Sequence, residues 1–160
     1  SIAFRTAVRK AMEKNVIVKE SENITMFYKI LKNNLKIRHG VNPTHTLKEL
    51  KHVFNLFPNR IKLFAAYLEN IMIAGVVTFQ VNSNVLLAFY ISHDEKYSEL
   101  RAVNILFFEI FKWAIKSNFK IFDFGIFTVS GVPNMGLGRF KENFGASGIF
   151  RDTIELKLSS

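Results

Sequence analysis

Apolar residues recur at two periods along the chain, and the switches between them predict its elements. Phe4, Ala7, Val8, Ala11 and Met12 fall at helical spacing, which predicts an amphipathic helix over 3–14. The run VIVK, 16–19, reads as a short strand. Ile24, Phe27, Tyr28, Leu31 and Leu35 predict a second helix that stops near His39-Gly40, where glycine suits a helix end. Thr46 with Glu49 forms a capping-box pattern that starts a third helix, with Leu47, Leu50, Val53, Phe54 and Phe57 on one face and Pro58 ending it. Three Val-, Ile- and Phe-rich runs follow at 60–68, 71–81 and 85–92, joined by Asn-containing turns, as in a strand meander. Leu100, Val103, Leu106, Phe107, Ile110, Phe111, Ala114 and Ile115 give the strongest helical pattern of the chain, reaching back to about Ser98. KIFDF, 120–124, reads as a fifth strand, 134–144 as a short helix, and GIFRDTIELKL, 148–158, as a closing strand.

The order behind the leading helix (1–15) is β-α-α-β-β-β-α-β-α-β. With no repeat, low-complexity run or interior linker, this predicts one α+β domain over 1–160, a mixed sheet with helices on both faces. Composition agrees: 49% of residues are hydrophobic and 17 are Phe, enough for a real core and too many for a disordered chain. The formal net charge of +9 favours anionic partners such as nucleic acid, headgroups or a phosphate-bearing cofactor. There is no Cys, so disulfides and Cys-based zinc sites are excluded, and a reducing, cytoplasmic setting is expected. The apolar run ILFFEIFKWAI is broken by Glu109 and Lys112, so no membrane span is expected. The chain opens at Ser1 without Met, consistent with a trimmed start or a piece of a longer protein.

Asp123-Phe124-Gly125 matches the magnesium-holding triplet of protein kinases, but the rest of that signature is missing. Val76-Val77-Thr78 has no lysine at the required place, Arg38-His39-Gly40 is not the catalytic loop, and no Gly-rich loop precedes them. Alternation instead puts Phe122 and Phe124 on one side of a strand and Asp123 on the other. Gly136-Leu137-Gly138 lacks the third glycine of a dinucleotide fingerprint. The histidines at 39, 45, 52 and 93 form no metal motif, and no metal is expected.

Asn134, Lys141 and Gly145 share the spacing of Asn, Tyr and Gly in the last helix of GNAT acyltransferases, and the element order matches that family. Arg5, Ala11 and Lys14, then RHGVNPTHTLKEL, IAGVVTF, FDFG and GLGRFKENFGA, resemble its Fem-type branch across nearly the whole chain. Fem-type proteins usually carry two such units; this chain resembles the second, which implies an N-terminal GNAT-like partner domain.

The resemblance implies a sheet split between the strands at 85–92 and 120–124, gripping a donor such as acetyl-CoA or another acyl-CoA. Ile91 and Ser92 would offer backbone to the donor arm, and the helix starting near Ser98 would face its phosphates. Asn134 and Phe140 of the last helix complete the implied donor site. Lys141, in place of the usual Tyr, would stabilise an oxyanion or bind a phosphate. Asp123 and Tyr90, at the ends of the splayed strands, would assist proton removal, with packing the alternative for Tyr90. Arg38 and His45 would face the acceptor, with helix-end capping the alternative for Arg38. One departure is plain: SHDEKYSELRA, 92–102, replaces the usual Gly-containing phosphate loop and holds acids at 94, 95 and 99.

The leading expectation is therefore transfer of an acyl group from acyl-CoA to a small-molecule amine or cell-envelope precursor. The alternatives are an aminoacyl-tRNA-dependent Fem-type transferase, in which tRNA is a partner, and a non-catalytic half that binds acceptor or braces a partner domain. A nucleic-acid-binding module ranks behind these, because the basic residues are scattered and no aromatic-flanked basic stripe is present.

Overall fold

A computed structural model of the chain describes residues 1–129, 131–150, 152 and 154–156. They form two compact units, Ile2–Gly125 and the segment from Ile126 onward together with Ser1. The first holds α1 (Ile2–Glu13), β1 (Val16–Glu20), α2 (Ile24–His39), α3 (Leu47–Leu56), β2 (Ile61–Leu68), β3 (Ile71–Gln80), β4 (Val85–His93), α4 (Ala102–Lys116) and β5 (Ile121–Asp123).

Local chemistry sets most of these boundaries. The Asn23 side chain accepts from the Met26 N–H at 3.0 Å to open α2. Gly40, at φ 67°, closes it by donating its N–H to the Lys36 carbonyl. Thr46 and Glu49 form the expected reciprocal cap on α3: the Glu49 N–H reaches Thr46 Oγ1 at 3.2 Å and the Thr46 N–H reaches Glu49 Oε2 at 2.7 Å.

The sheet runs β1-β2-β3-β4-β5. The first three pairings are antiparallel, and β4–β5 is parallel, as a crossover through α4 requires. Each face is covered by helix. Phe27, Ile30 and Leu31 of α2 pack with Ile61, Leu63, Ala65, Met72 and Val77 on one side. On the other, Phe64 meets Trp113 of α4 at 5.1 Å, and Phe122 and Phe124 meet the α4 rings of Phe107 and Phe111. The α+β mixed-sheet architecture with a leading helix is thus as the pattern predicts.

Three elements differ from expectation. The helix expected from about Ser98 begins at Ala102; residues Glu95–Leu100 form a separate 3-10 helix, and Arg101, at φ 56°, breaks the two apart. The loop after Gly125 contains a two-residue pairing of β6 (Thr128–Val129) with β7 (Val132–Pro133). The closing strand expected over 148–158 is not formed among its described residues; residues 151, 153, 157 and 158 lie outside them. Ile149, Phe150, Ile154 and Leu156 stand exposed, and a strand without a ladder partner has no stable form in water. In this second unit the last helix is α5 (Met135–Asn143), capped by Asn134, whose side chain accepts from the Leu137 N–H at 3.0 Å.

At Gly75 the Phe27 side chain of α2 lies against the bare backbone of β3. A Cβ there would lie 2.5 Å from Phe27 Cδ2 and 3.2 Å from Leu63 Cδ1, both in the packed core. Gly75→Ala is therefore expected to destabilise the fold by about 1–3 kcal/mol, as overpacking does. The check is a lower denaturation midpoint at unchanged m-value.

Candidate active site

β4 keeps its bonds to β3 but loses those to β5. Pairing with β5 covers Val85↔Ile121, Leu86↔Phe122 and Leu87↔Asp123 and then stops. Among the described residues, 88–93 run on with β3 alone. Two features produce the parting. On the β5 side, the Asp123 carboxylate accepts from the Gly125 N–H at 2.7 Å, pinning a turn in which Gly125 sits at φ 69°, a conformation that costs glycine little. On the β4 side, Thr78 pairs with Ala88 but Val77 with Tyr90, so Phe89 is an extra residue in the strand. A bulge of this kind bends a strand and re-aims its side chains.

The bulge brings adjacent side chains onto one face. In a regular strand Phe89 and Tyr90 would point apart. Here their rings lie 4.9 Å from each other, and both lie near His45, at 5.6 and 6.0 Å. His45 Nδ1 and the Tyr90 hydroxyl are 2.7 Å apart. The Tyr28 hydroxyl donates to the His45 carbonyl at 3.1 Å, and the Thr46 cap fixes the next residue. Burial pushes the Tyr90 phenol above its ordinary value, so it stays protonated as a donor. Two residues assigned different roles from sequence therefore form one hydrogen-bonded pair.

Arg38 is committed elsewhere. Its Nε is bonded to Glu95 Oε1, and its Nη2 reaches Glu95 Oε2 at 3.2 Å. Asn34 Nδ2 donates to Glu95 Oε1 at 2.8 Å and to the His93 carbonyl at 3.1 Å. Arg38 pulls the Glu95 carboxyl below its usual range, and burial lowers His93. The α2 end is thus tied to the start of the β4–α4 connection. Asn34, His93 and Glu95 were not picked out as a group from sequence; the acids at 94 and 95 were the one signal. Asp94 also has a structural task, accepting from the Lys96 N–H at 3.0 Å.

On the expected donor side, Ile91 and Ser92 both lie beyond the parting, paired only with Val76 and Gly75 of β3. The Ser92 hydroxyl is buried and has no partner among the described residues. Ser98 lies in the 3-10 helix rather than at the start of α4, whose cap residue Arg101 makes no side-chain bond to the first turn. In the second unit, Lys141 is only 8% exposed, and its Nζ donates to the Ile126 carbonyl at 2.6 Å. It is no solvated helix lysine. Phe140 packs on Phe144 at 5.0 Å, and Asn134 is the α5 cap.

Residues 3–142 match the family model of the acetyltransferase (GNAT) domain. The chain belongs to the GNAT acetyltransferase family. Among solved structures, this GNAT domain is similar to a possible acetyltransferase from Clostridium difficile 630, at TM-score 0.70 and 13% identity over 91% of this chain and 99% of that one. It is also similar to FemX, at TM-score 0.74 and 14% identity over 89% of this chain and 53% of FemX, so it spans about half of that protein. A GNAT family acetyltransferase from Elizabethkingia anophelis, solved with acetyl-CoA bound, matches at TM-score 0.57 and 14% identity over 81% of this chain and 74% of that one. At these identities the likeness is one of fold. No curated protein matches the sequence.

Acetyl-CoA, which the family implies, fits the chain's own groups at two points. Among the described residues, the β4 edge beyond Leu87 has no strand partner for a slender arm to displace. The first turn of α4 lacks a side-chain cap, and such N–H groups favour phosphate. The acids at 94 and 95 are engaged by Lys96 N–H and Arg38, which reduces their opposition to an anion.

The Arg38–Glu95 tie has a pH signature. A carboxyl held below its ordinary 4.5 stabilises the fold above that value, and the contribution disappears as pH falls through the lowered one. The stability difference between wild type and Glu95→Gln is therefore expected to be level at neutral pH and to shrink in acid. Thermal unfolding across pH checks it.

Proposed function

We propose that residues 1–160 act as one N-acyltransferase unit that moves an acetyl group from acetyl-CoA to a small amine. The observation that carries this reading is the parting of β4 from β5 with the Tyr90–His45 pair beside it. When bound, acetyl-CoA would supply the thioester carbonyl. Ile91 and Ser92 would offer backbone to the donor arm, and the first turn of α4 would take its phosphates. The amine is oriented over the face formed by Phe89, Tyr90 and His45. The Tyr90 oxygen would take the amine proton as Tyr90 passes its own to His45 Nδ1, and the imidazolium would give that proton up to the thiolate that leaves when the C–S bond is replaced by the new C–N bond. This uses the tautomer in which Nδ1 accepts. Lys141, with Asn134 and Phe140 on the same helix, is read from the family resemblance as the oxyanion or donor-phosphate helper. Asp123 acts by shaping the turn that opens the gap, and Arg38 by holding Glu95.

A second reading is a Fem-type unit of a longer transferase, with an aminoacyl-tRNA donor and a cell-envelope acceptor, or a bracing half with no chemistry of its own. What favours it is the 92–102 connection, which has no glycine and keeps its acids. Activity that appears only with an upstream domain or with aminoacyl-tRNA would select it.

The test joins a melting-temperature panel of acetyl-CoA and longer acyl-CoAs with thiol release in the presence of amines. Acetyl-CoA is expected to raise the melting point by mass action. Tyr90→Phe is expected to lower kcat about 10²-fold, the range of general acid–base catalysis, with the KM for acetyl-CoA little changed. No melting shift and no thiol release with any donor sinks the acyl-CoA reading. Lys141→Ala is expected to lower turnover or the ligand shift; if it alters neither, Lys141 has no part in the site.

A further inference from the structure

A second cleft lies at the far end of the sheet from the parting. It has a volume of about 280 Å³ and is lined by Asn59, Arg60, Lys62, Gln80, Trp113 and Ser117, among others. These residues come from the start of β2, the end of β3 and the end of α4. Gln80 pairs with Leu86, whereas the proposed transfer site surrounds Tyr90. Four residues of strand separate them, roughly 13 Å along β4.

The polar groups of this cleft are mostly unspent. Among the described residues, the Arg60 guanidinium, the Trp113 indole N–H and the side-chain amides of Asn59 and Gln80 make no hydrogen bond or ion pair. Lys62 and Thr78 are engaged: Lys62 Nζ lies 2.6 Å from Glu20 Oε1 and 6.0 Å from the Trp113 ring centre, and the Thr78 hydroxyl donates to the Lys62 carbonyl at 3.4 Å. Folding has therefore left an exposed guanidinium, two amides that each donate and accept, and an indole around one hollow. The Trp113 ring is set in place by Phe64 at 5.1 Å and Phe119 at 5.7 Å.

We propose that this cleft binds an anionic monosaccharide unit, a single pyranose ring bearing one carboxylate or phosphate. Arg60 takes the anion by paired N–H donors. Asn59, Gln80 and Ser117 exchange hydrogen bonds with ring hydroxyls, which need donors and acceptors together. Trp113 offers its apolar ring to the C–H face of the sugar and its N–H to an oxygen. The volume stands at the low end of ligand sites, which suits one ring and excludes a coenzyme-sized molecule. Because Lys62 is neutralised by Glu20, the site favours one anionic group over several.

Trp113 is the only tryptophan, so its fluorescence reports on this cleft alone. The chain is titrated with glucuronic acid, glucose 6-phosphate, glucose and inorganic phosphate. The two charged sugars are expected to give saturable changes with Kd around 1 mM, and glucose to bind at least about tenfold more weakly. The tighter of the two names the preferred anion. Arg60→Ala is expected to weaken charged-sugar binding about tenfold. Gln80→Ala is expected to weaken sugar binding while leaving any response to phosphate unchanged. No saturable response to either charged sugar overturns the proposal. So does equal affinity for glucose, or a phosphate response as tight as that of glucose 6-phosphate.

Discussion

The parallel contact between β4 and β5 is held at one end and released at the other, and the site is a consequence of that asymmetry. Parallel pairs are slightly weaker per residue than antiparallel ones, and this one has only three registered pairs. What secures it is packing: Phe122 and Phe124, 4.9 Å apart, both rest on Phe107 and Phe111 of α4. The aromatic cluster anchors β5 up to the Asp123 turn, after which the chain leaves the sheet. Meanwhile β4 retains a full antiparallel partner in β3, so it loses β5 without losing its shape. The FDFG stretch thus works as an anchor, a hinge carboxylate and a left-handed glycine in sequence.

The bulge at Phe89 couples that opening to chemistry. One inserted residue both bends β4 away from regular pairing and turns Tyr90 toward His45. A half-buried phenol with an imidazole against it follows from that register shift, on the stretch of β4 that runs past the end of β5. The connection that follows β4 is held separately, through Arg38, Asn34 and Glu95. That tie gives the carboxylate a cation inside the same domain, where an unpaired acid would oppose the phosphates of a donor.

The positive charge of the chain is also unevenly committed. Arg38 is spent on Glu95 and Lys62 on Glu20, whereas Arg60 faces an open cleft with no acidic partner among the described residues. Net charge alone favours anionic partners in general. Which cations remain available, and beside which side chains, is what turns that general bias into distinct sites.

Most elements were determined by sequence, because their signals are local: helical spacing in 102–116, the Thr46–Glu49 cap, Gly40 as a left-handed stop and the Asn-rich turns of the meander all act within a few residues. The family resemblance, read from spacing such as Asn134–Lys141–Gly145, pointed to the β4–β5 pair, where β4 runs on past the end of β5. Tertiary structure alone decided the partners. Tyr90 and His45 are 45 positions apart and Arg38 and Glu95 57 apart, and they meet only because strand register and helix docking bring them there. The bulge has no sequence mark, since Ala88-Phe89-Tyr90 lies within an unbroken apolar run, 85–91. The burial of Lys141 against the Ile126 carbonyl is likewise invisible in a helix that reads as solvated. The strand read over 148–158 is not formed among its described residues, since a strand needs a neighbour to hydrogen-bond and local sequence does not supply one.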